Sequence, residues 1–137
     1  MRTLIVLAML LGVVVLAQAA DAGEVAGEID VSTNADAMAV KQHTDDFLMT
    51  IFPCLLQTSQ GGKSDAEAEA YCFCKNRSLV ESHLADLKQF YGKHPEWNGK
   101  TLKIVSNSAG AVETTRLKPG LIEEIEDSLK KAPKTCK

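Results

Sequence analysis

An excess of positive charge, a rich supply of aromatic rings and any recognisable catalytic motif are all missing from this chain. Its 15 Lys and Arg stand against 18 Asp and Glu, for a formal net charge of -3. That leaves no basic surface of the kind that competes for a polyanion, so nucleic acid is not an expected partner. Aromatics make up 5% of the 137 residues, which limits the apolar area its core can draw from rings. Gly61-Gly62 has no G-x-G-x-x-G or phosphate-loop context. His43, His83 and His94 form no H-x-x-x-H pair and read as residues of polar helix faces and a loop. Ser82 and His83 are neighbours on a helix and diverge around it, so they make no dyad. Asp45-Asp46 and Glu123-Glu124 read as solvated faces rather than paired catalytic acids. With no nucleophile beside a base and no cofactor motif, a non-enzymatic role without cofactor or metal is the leading expectation.

One long apolar run is present. Residues 4–16 are uncharged and nearly all aliphatic, follow Arg2, and lead into Ala17-Gln18-Ala19-Ala20. Basic, apolar and small residues in that order make a secretory signal peptide over 1–19, with an A-x-A cleavage site. A run of this length rises only about 20 Å as a helix, too short for a hydrocarbon layer of roughly 30 Å. The expected product is exported, periplasmic or secreted, with no membrane span after cleavage.

Beyond the signal, residues 20–33 mix Gly, acids and a few spaced aliphatics and read as a flexible leader. Residues 34–137 read as one domain. Asn34 suits an N-cap, and Met38, Phe47, Leu48, Ile51, Phe52, Leu55 and Leu56 recur at helical spacing, with Pro53 kinking or dividing the helix. Gly61 and Gly62 mark a turn, and Ser64-x-x-Glu67 has the form of a capping box. A second helix carries Ala66, Ala70, Phe73, Arg77, Val80, Leu84, Leu87 and Tyr91 on one stripe and stops at Gly92 and His94-Pro95. Residues 101–115 have β character around Asn107-Ser108-Ala109-Gly110, which suggests a short hairpin, a helical or irregular connection being the alternative. Pro119 suits the first turn of a last helix bearing Ile122, Ile125, Leu129 and Ala132 inward, with Glu126/Lys130 and Asp127/Lys131 as surface pairs. The fold class expected is mainly α, a small bundle of three to four helices stapled by two disulfides.

Cys54, Cys72, Cys74 and Cys136 form an even set in an exported chain, where pairing is the expected state. Residues two apart on a helix point about 200° apart around its axis, so Cys72 and Cys74 cannot join. Each must then reach Cys54 or Cys136, leaving 54–72 with 74–136 and 54–74 with 72–136 both open. The competing readings are a redox-active C-x-C pair and a soft-metal site for an ion such as Cu(I), assisted by His83 or a methionine. Arg77 in the apolar seam reads as a snorkelling stem or as an ion pair with an acid of another helix. Asn76-Arg77-Ser78 has the N-x-S acceptor form but falls mid-helix.

His94-Pro95-Glu96-Trp97-Asn98-Gly99 holds the sole Trp amid polar residues. Trp97 there either caps the core or, with His94, anchors a partner. In build, the chain resembles periplasmic acid-stress chaperones and immunity proteins that neutralise secreted toxins. Its segment from Leu87 to Trp97 and its late Cys136 are similar to helical immunity proteins of type VI secretion. The resemblance implies a binding, inhibitory or immunity-type module whose partner is another envelope or secreted protein. The alternative is the C-x-C thiol or soft-metal protein.

Overall fold

The computed structural model describes residues 25–136, so the signal peptide read over 1–19 lies outside the described residues, as does the start of the leader. The elements run β1 (Val25–Asp30), α1 (Ala35–Gln60), α2 (Asp65–Lys75), α3 (Arg77–Lys93), a 3-10 turn (Pro95–Trp97), β2 (Thr101–Ser108), β3 (Ala111–Leu117) and α4 (Leu121–Lys131). The architecture is mainly α: four helices carry a small three-stranded sheet, and two disulfides tie the helices together.

Asn34 caps α1 by accepting the Ala37 N–H at 3.0 Å, and the helix continues through Pro53 to Gln60. Its apolar residues exceed what one buried stripe can take. Ala37, Val40, Phe47, Ile51 and Leu55 enter the core, whereas Met38, Phe52 and Leu56 from the expected face stay exposed. Gly62, at φ +93°, reverses the chain, and Ser64 opens α2. The Ser64 hydroxyl accepts the Glu67 N–H at 3.3 Å while Glu67 accepts the Ser64 N–H at 2.9 Å, a reciprocal capping box. Donation from the Ser64 N–H, and from its hydroxyl at 2.9 Å, holds the Glu67 carboxyl below its usual range.

The expected single second helix is divided at Asn76. Its backbone N–H and its side-chain amide both donate to the Cys72 carbonyl, at 3.0 and 2.9 Å, the latter a local side-chain bond of the kind that competes with regular helix. Its backbone, at φ -109° and ψ 27°, leaves the helical region. On the α2–α3 stripe, Phe73, Val80, Leu87 and Tyr91 are buried as expected, Ala66 is exposed, and Ala68, Cys72 and Phe90 join the core.

A correction concerns the leader: from Val25 it is a strand, not a flexible segment. β1 pairs parallel with β2, Ile29 opposite Ile104 and Asp30 opposite Val105. Alternation at Val25, Gly27, Ile29 and Val31 is a period-2 signal, and Ile29 and Val31 are buried. The hairpin is present: β2 pairs antiparallel with β3, and Ser108 opposite Ala111 closes a two-residue loop. Ala109 and Gly110 both have positive φ, 50° and 80°, the backbone of a turn matched to strand twist. Leu102, Ile104 and Leu117 are fully buried, while Lys103 pairs with Glu28 at 2.8 Å on the other side of the sheet.

Pro119 lies just outside α4, which starts at Leu121 behind Gly120 in the left-handed region. Of the surface pairs expected there, neither forms. Lys130 meets Asp127 at 3.2 Å, and Glu126 instead reaches Lys88, tying α4 to α3.

Candidate functional site

The sulfurs settle first. Cys54 bonds Cys72 and Cys74 bonds Cys136, with Cα–Cα distances of 5.9 and 5.7 Å, and no cysteine is free. α2 runs unbroken through Tyr71–Lys75, so Cys72 and Cys74 diverge and serve different neighbours. The first bond bolts α1 to α2; the second ties the tail after α4 back to α2. Cys72 and Cys74 are buried, and Cys136 is exposed. The sulfur atoms are thus spent in cross-links, one joining two helices and one fastening the tail to α2.

Arg77 supports the second bond in a way neither expectation described. Its guanidinium donates to the Ala132 and Pro133 carbonyls at 3.0 and 3.2 Å, holding the chain just past α4. Cationic donors suit those carbonyls because the last C=O groups of a helix lack intrahelical partners. Its acidic neighbour is Glu81, at 3.6 Å on its own helix, not an acid of another helix.

The histidines divide into three environments. His83 is buried at 2% exposure, contrary to the polar-face reading, and stacks on Phe47 with ring centroids 4.5 Å apart. Its Nδ1 has no hydrogen-bond partner. Burial drives its pKa down to about 4, with Asp86 raising it slightly and His43 lowering it. His43 pairs with Asp86 at 2.5 Å beside a cavity of about 140 Å³ between α1 and α3, well below the roughly 300 Å³ at which small-molecule sites begin. Among the described residues no group of three or more His, Cys, Asp or Glu is placed to hold a metal ion.

His94 and Trp97, expected to touch a partner, are brought together. Their rings stack at 4.2 Å, and Trp97 also lies 5.2 Å from Phe90. Both are half-buried, and Trp97 packs against the core. His94 is tied to Asp36 at 3.2 Å and Lys93 to the same carboxylate at 2.9 Å, so the loop is pinned to the first turn of α1. Hydrogen bonds from Lys93 and His94 hold the Asp36 carboxyl low.

Two features escape the sequence patterns. Lys41 is buried, yet its ammonium is held by Asp45 at 2.5 Å and Glu113 at 3.4 Å. Asp45 in turn accepts the Thr115 hydroxyl at 2.8 Å, so it links α1 to β3 rather than lying on a solvated face. Burial alone would lower the Lys41 pKa, but the two carboxylates outweigh it and the net direction is up. The second feature is an exposed stripe on α1. Met49, Phe52 and Leu56 are 76%, 40% and 39% exposed at the i, i+3, i+7 spacing that lines one side of a helix. Cys54 falls within this segment, so the stripe is fastened to α2 by a covalent bond.

No protein-family model, curated protein or solved structure matches this chain.

Proposed function

We propose that this protein is an exported, non-enzymatic binding module of inhibitory or immunity type, and that the α1 stripe is where a protein partner docks. The observation carrying this reading is the set of three large apolar side chains, Met49, Phe52 and Leu56, held in water on a disulfide-bolted helix. Exposed apolar clusters of this kind mark interaction surfaces, and a fixed backbone spares the partner the entropy of ordering it. Thioether and phenyl groups are also the side chains enriched at the centre of interfaces. The aromatic pair His94 and Trp97, half-buried and pinned through Asp36, is the second surface to test.

Two further facts favour binding over the thiol or soft-metal alternative. All four sulfurs are consumed in disulfides, and His83 stacks against Phe47 inside the core. Export to the periplasm or beyond is supported by the disulfides, which persist in oxidising compartments, and by the signal-like order of residues 1–19. Among the described residues no helix is long and apolar enough to cross a membrane.

The test is recovery of a stable complex from the native envelope fraction with the wild type and with a Met49→Ser, Phe52→Ser, Leu56→Ser triple variant. The reading expects the complex to be lost while the melting temperature is little changed, because none of the three is buried. Equal recovery with the triple variant would move the site elsewhere. Absence of any complex with the wild type would overturn the binding reading.

A further inference from the structure

α1 carries a second seam besides the one it buries. Met38, Gln42, Asp45, Met49, Phe52 and Leu56 follow one another at alternating steps of four and three residues, the alternation that keeps a line of side chains facing a neighbouring helix. Its apolar members all meet water, Met38 at 53% exposure beside the 76%, 40% and 39% of Met49, Phe52 and Leu56. Met38 thus extends the exposed stripe toward the start of α1, to a length of about 27 Å or five helical turns. Along it the side chains recur about every 5 Å. That interval matches another helix better than a strand, whose same-face residues lie about 7 Å apart.

Charge narrows the occupant further. Asp45 lies on a cavity of about 300 Å³ bordered also by Met38, Gln42 and Asp46. Asp45 and Glu113 share the Lys41 ammonium, at 2.5 and 3.4 Å, while Asp46 is exposed and pairs with no cation among the described residues. Three carboxylates therefore stand against one ammonium at this end of the seam. α1 itself offers no free cation to offset them, because Lys41 is buried and His43 is paired with Asp86.

A second copy of this chain does not answer that pattern. Laid antiparallel about the middle of the seam, Asp45 would face the other copy's methionine 49 and Gln42 its phenylalanine 52. Laid parallel, Asp45 would face its own counterpart. Either register sets a carboxylate against an apolar group or against a like charge, and both are costly once water is excluded.

We infer that the α1 seam from Met38 to Leu56 receives an amphipathic helix of a partner protein, whose apolar residues cover Met49, Phe52 and Leu56 and whose Lys or Arg side chain enters the acidic cavity beside Met38. The inference rests on the α1 stripe being the docking surface, and adds what the partner must carry. A polar pair within an apolar seam fixes the register of two helices, and opposite charge speeds their encounter.

The experiment titrates the oxidised protein into trace amounts of two labelled helical peptides and follows fluorescence anisotropy. Both peptides carry leucines at alternating three- and four-residue steps and differ only in the residues flanking the middle of that seam, Lys in one and Glu in the other. The inference expects saturable binding of the lysine peptide, at least tenfold tighter than that of the glutamate peptide and weakened by salt. Asp46→Lys and Met38→Ser, both at exposed positions, should each weaken it about threefold or more, and the Met49→Ser, Phe52→Ser, Leu56→Ser triple variant should abolish it. No saturable binding of the lysine peptide, unchanged affinity in Asp46→Lys, or self-association of the free protein that the triple variant abolishes would overturn the inference. Equal binding of the two peptides, lost in the triple variant, would overturn the basic partner and leave the stripe as a docking surface. A native envelope complex indifferent to the triple variant would instead remove the docking reading itself.

Discussion

Acid should destabilise this protein through one buried ring. His83 lies between Phe47, which stacks on it, and the pair of His43 and Asp86, and its Nδ1 has no partner to share a proton with. The unfolded chain binds the proton near pH 6.5 and the folded chain only near pH 4. Stability from this group is therefore complete above pH 6.5, falls as pH drops through that window, and levels off below about pH 4. At about 1.4 kcal/mol per unit of displacement, the loss amounts to about 3 kcal/mol. Urea unfolding at pH 7.5, 6, 5 and 4 measures it, with His83→Gln as reference. Carboxylates held low by their partners, such as Asp36 and Glu126, also lose stability as pH falls, but they do so equally in both proteins. The stability of wild type relative to His83→Gln should thus drop by about 3 kcal/mol between pH 7.5 and 4. Parallel pH curves for the two proteins, or an NMR titration of His83 near pH 6.5, would refute the reasoning.

At the hairpin turn, Ala109 holds φ 50°, a region that costs an L-residue with a Cβ about 1 kcal/mol. Ala109→Asn, which makes the Asn-Gly pair such turns favour, should stabilise by about 0.5–1 kcal/mol in chemical denaturation, and a loss of stability would contradict the turn geometry. Ser64→Ala removes the hydroxyl of the α2 capping box and should cost about 1 kcal/mol, with Glu67→Ala giving a non-additive double-mutant cycle. Arg77→Ala should destabilise by about 2 kcal/mol, because a charged donor to two carbonyls is lost, and should speed reduction of Cys74–Cys136 by a thiol. An unchanged reduction rate would show that the guanidinium does not hold the tail.

Local chemistry was legible where a residue acts within its own turn. Asn34, Ser64-x-x-Glu67 and the turn glycines Gly62 and Gly110 declared themselves by type and spacing, and helical divergence correctly separated Cys72 from Cys74. The connectivity was not legible, because helix spacing places both sulfurs near Cys54; only the packed position of α4 and the Arg77 clamp decide it. β1 was missed because its alternation is short and carries a glycine, Gly27, at an inward position, and a parallel strand is fixed by β2, more than 70 residues further on. Lys41 was missed for a related reason: burial of an ammonium depends on Glu113 arriving from β3. Composition made α1 look like a single apolar face, and the division between inward Ile51 and outward Phe52 required the surrounding elements.

The central claim is that the sulfurs build a frame for binding rather than a reactive pair. Its most direct test is non-reducing peptide mapping of the oxidised protein, with a cut at Phe73 to part Cys72 from Cys74, beside a free-thiol count and unfolding with and without reductant. The account predicts Cys54 linked to Cys72, Cys74 linked to Cys136 and no free thiol. With 18 and 62 residues separating the partners, loop closure sets the loss on reduction at roughly 3 and 4 kcal/mol. Recovery of Cys72 linked to Cys74, with stability indifferent to reductant, would contradict it.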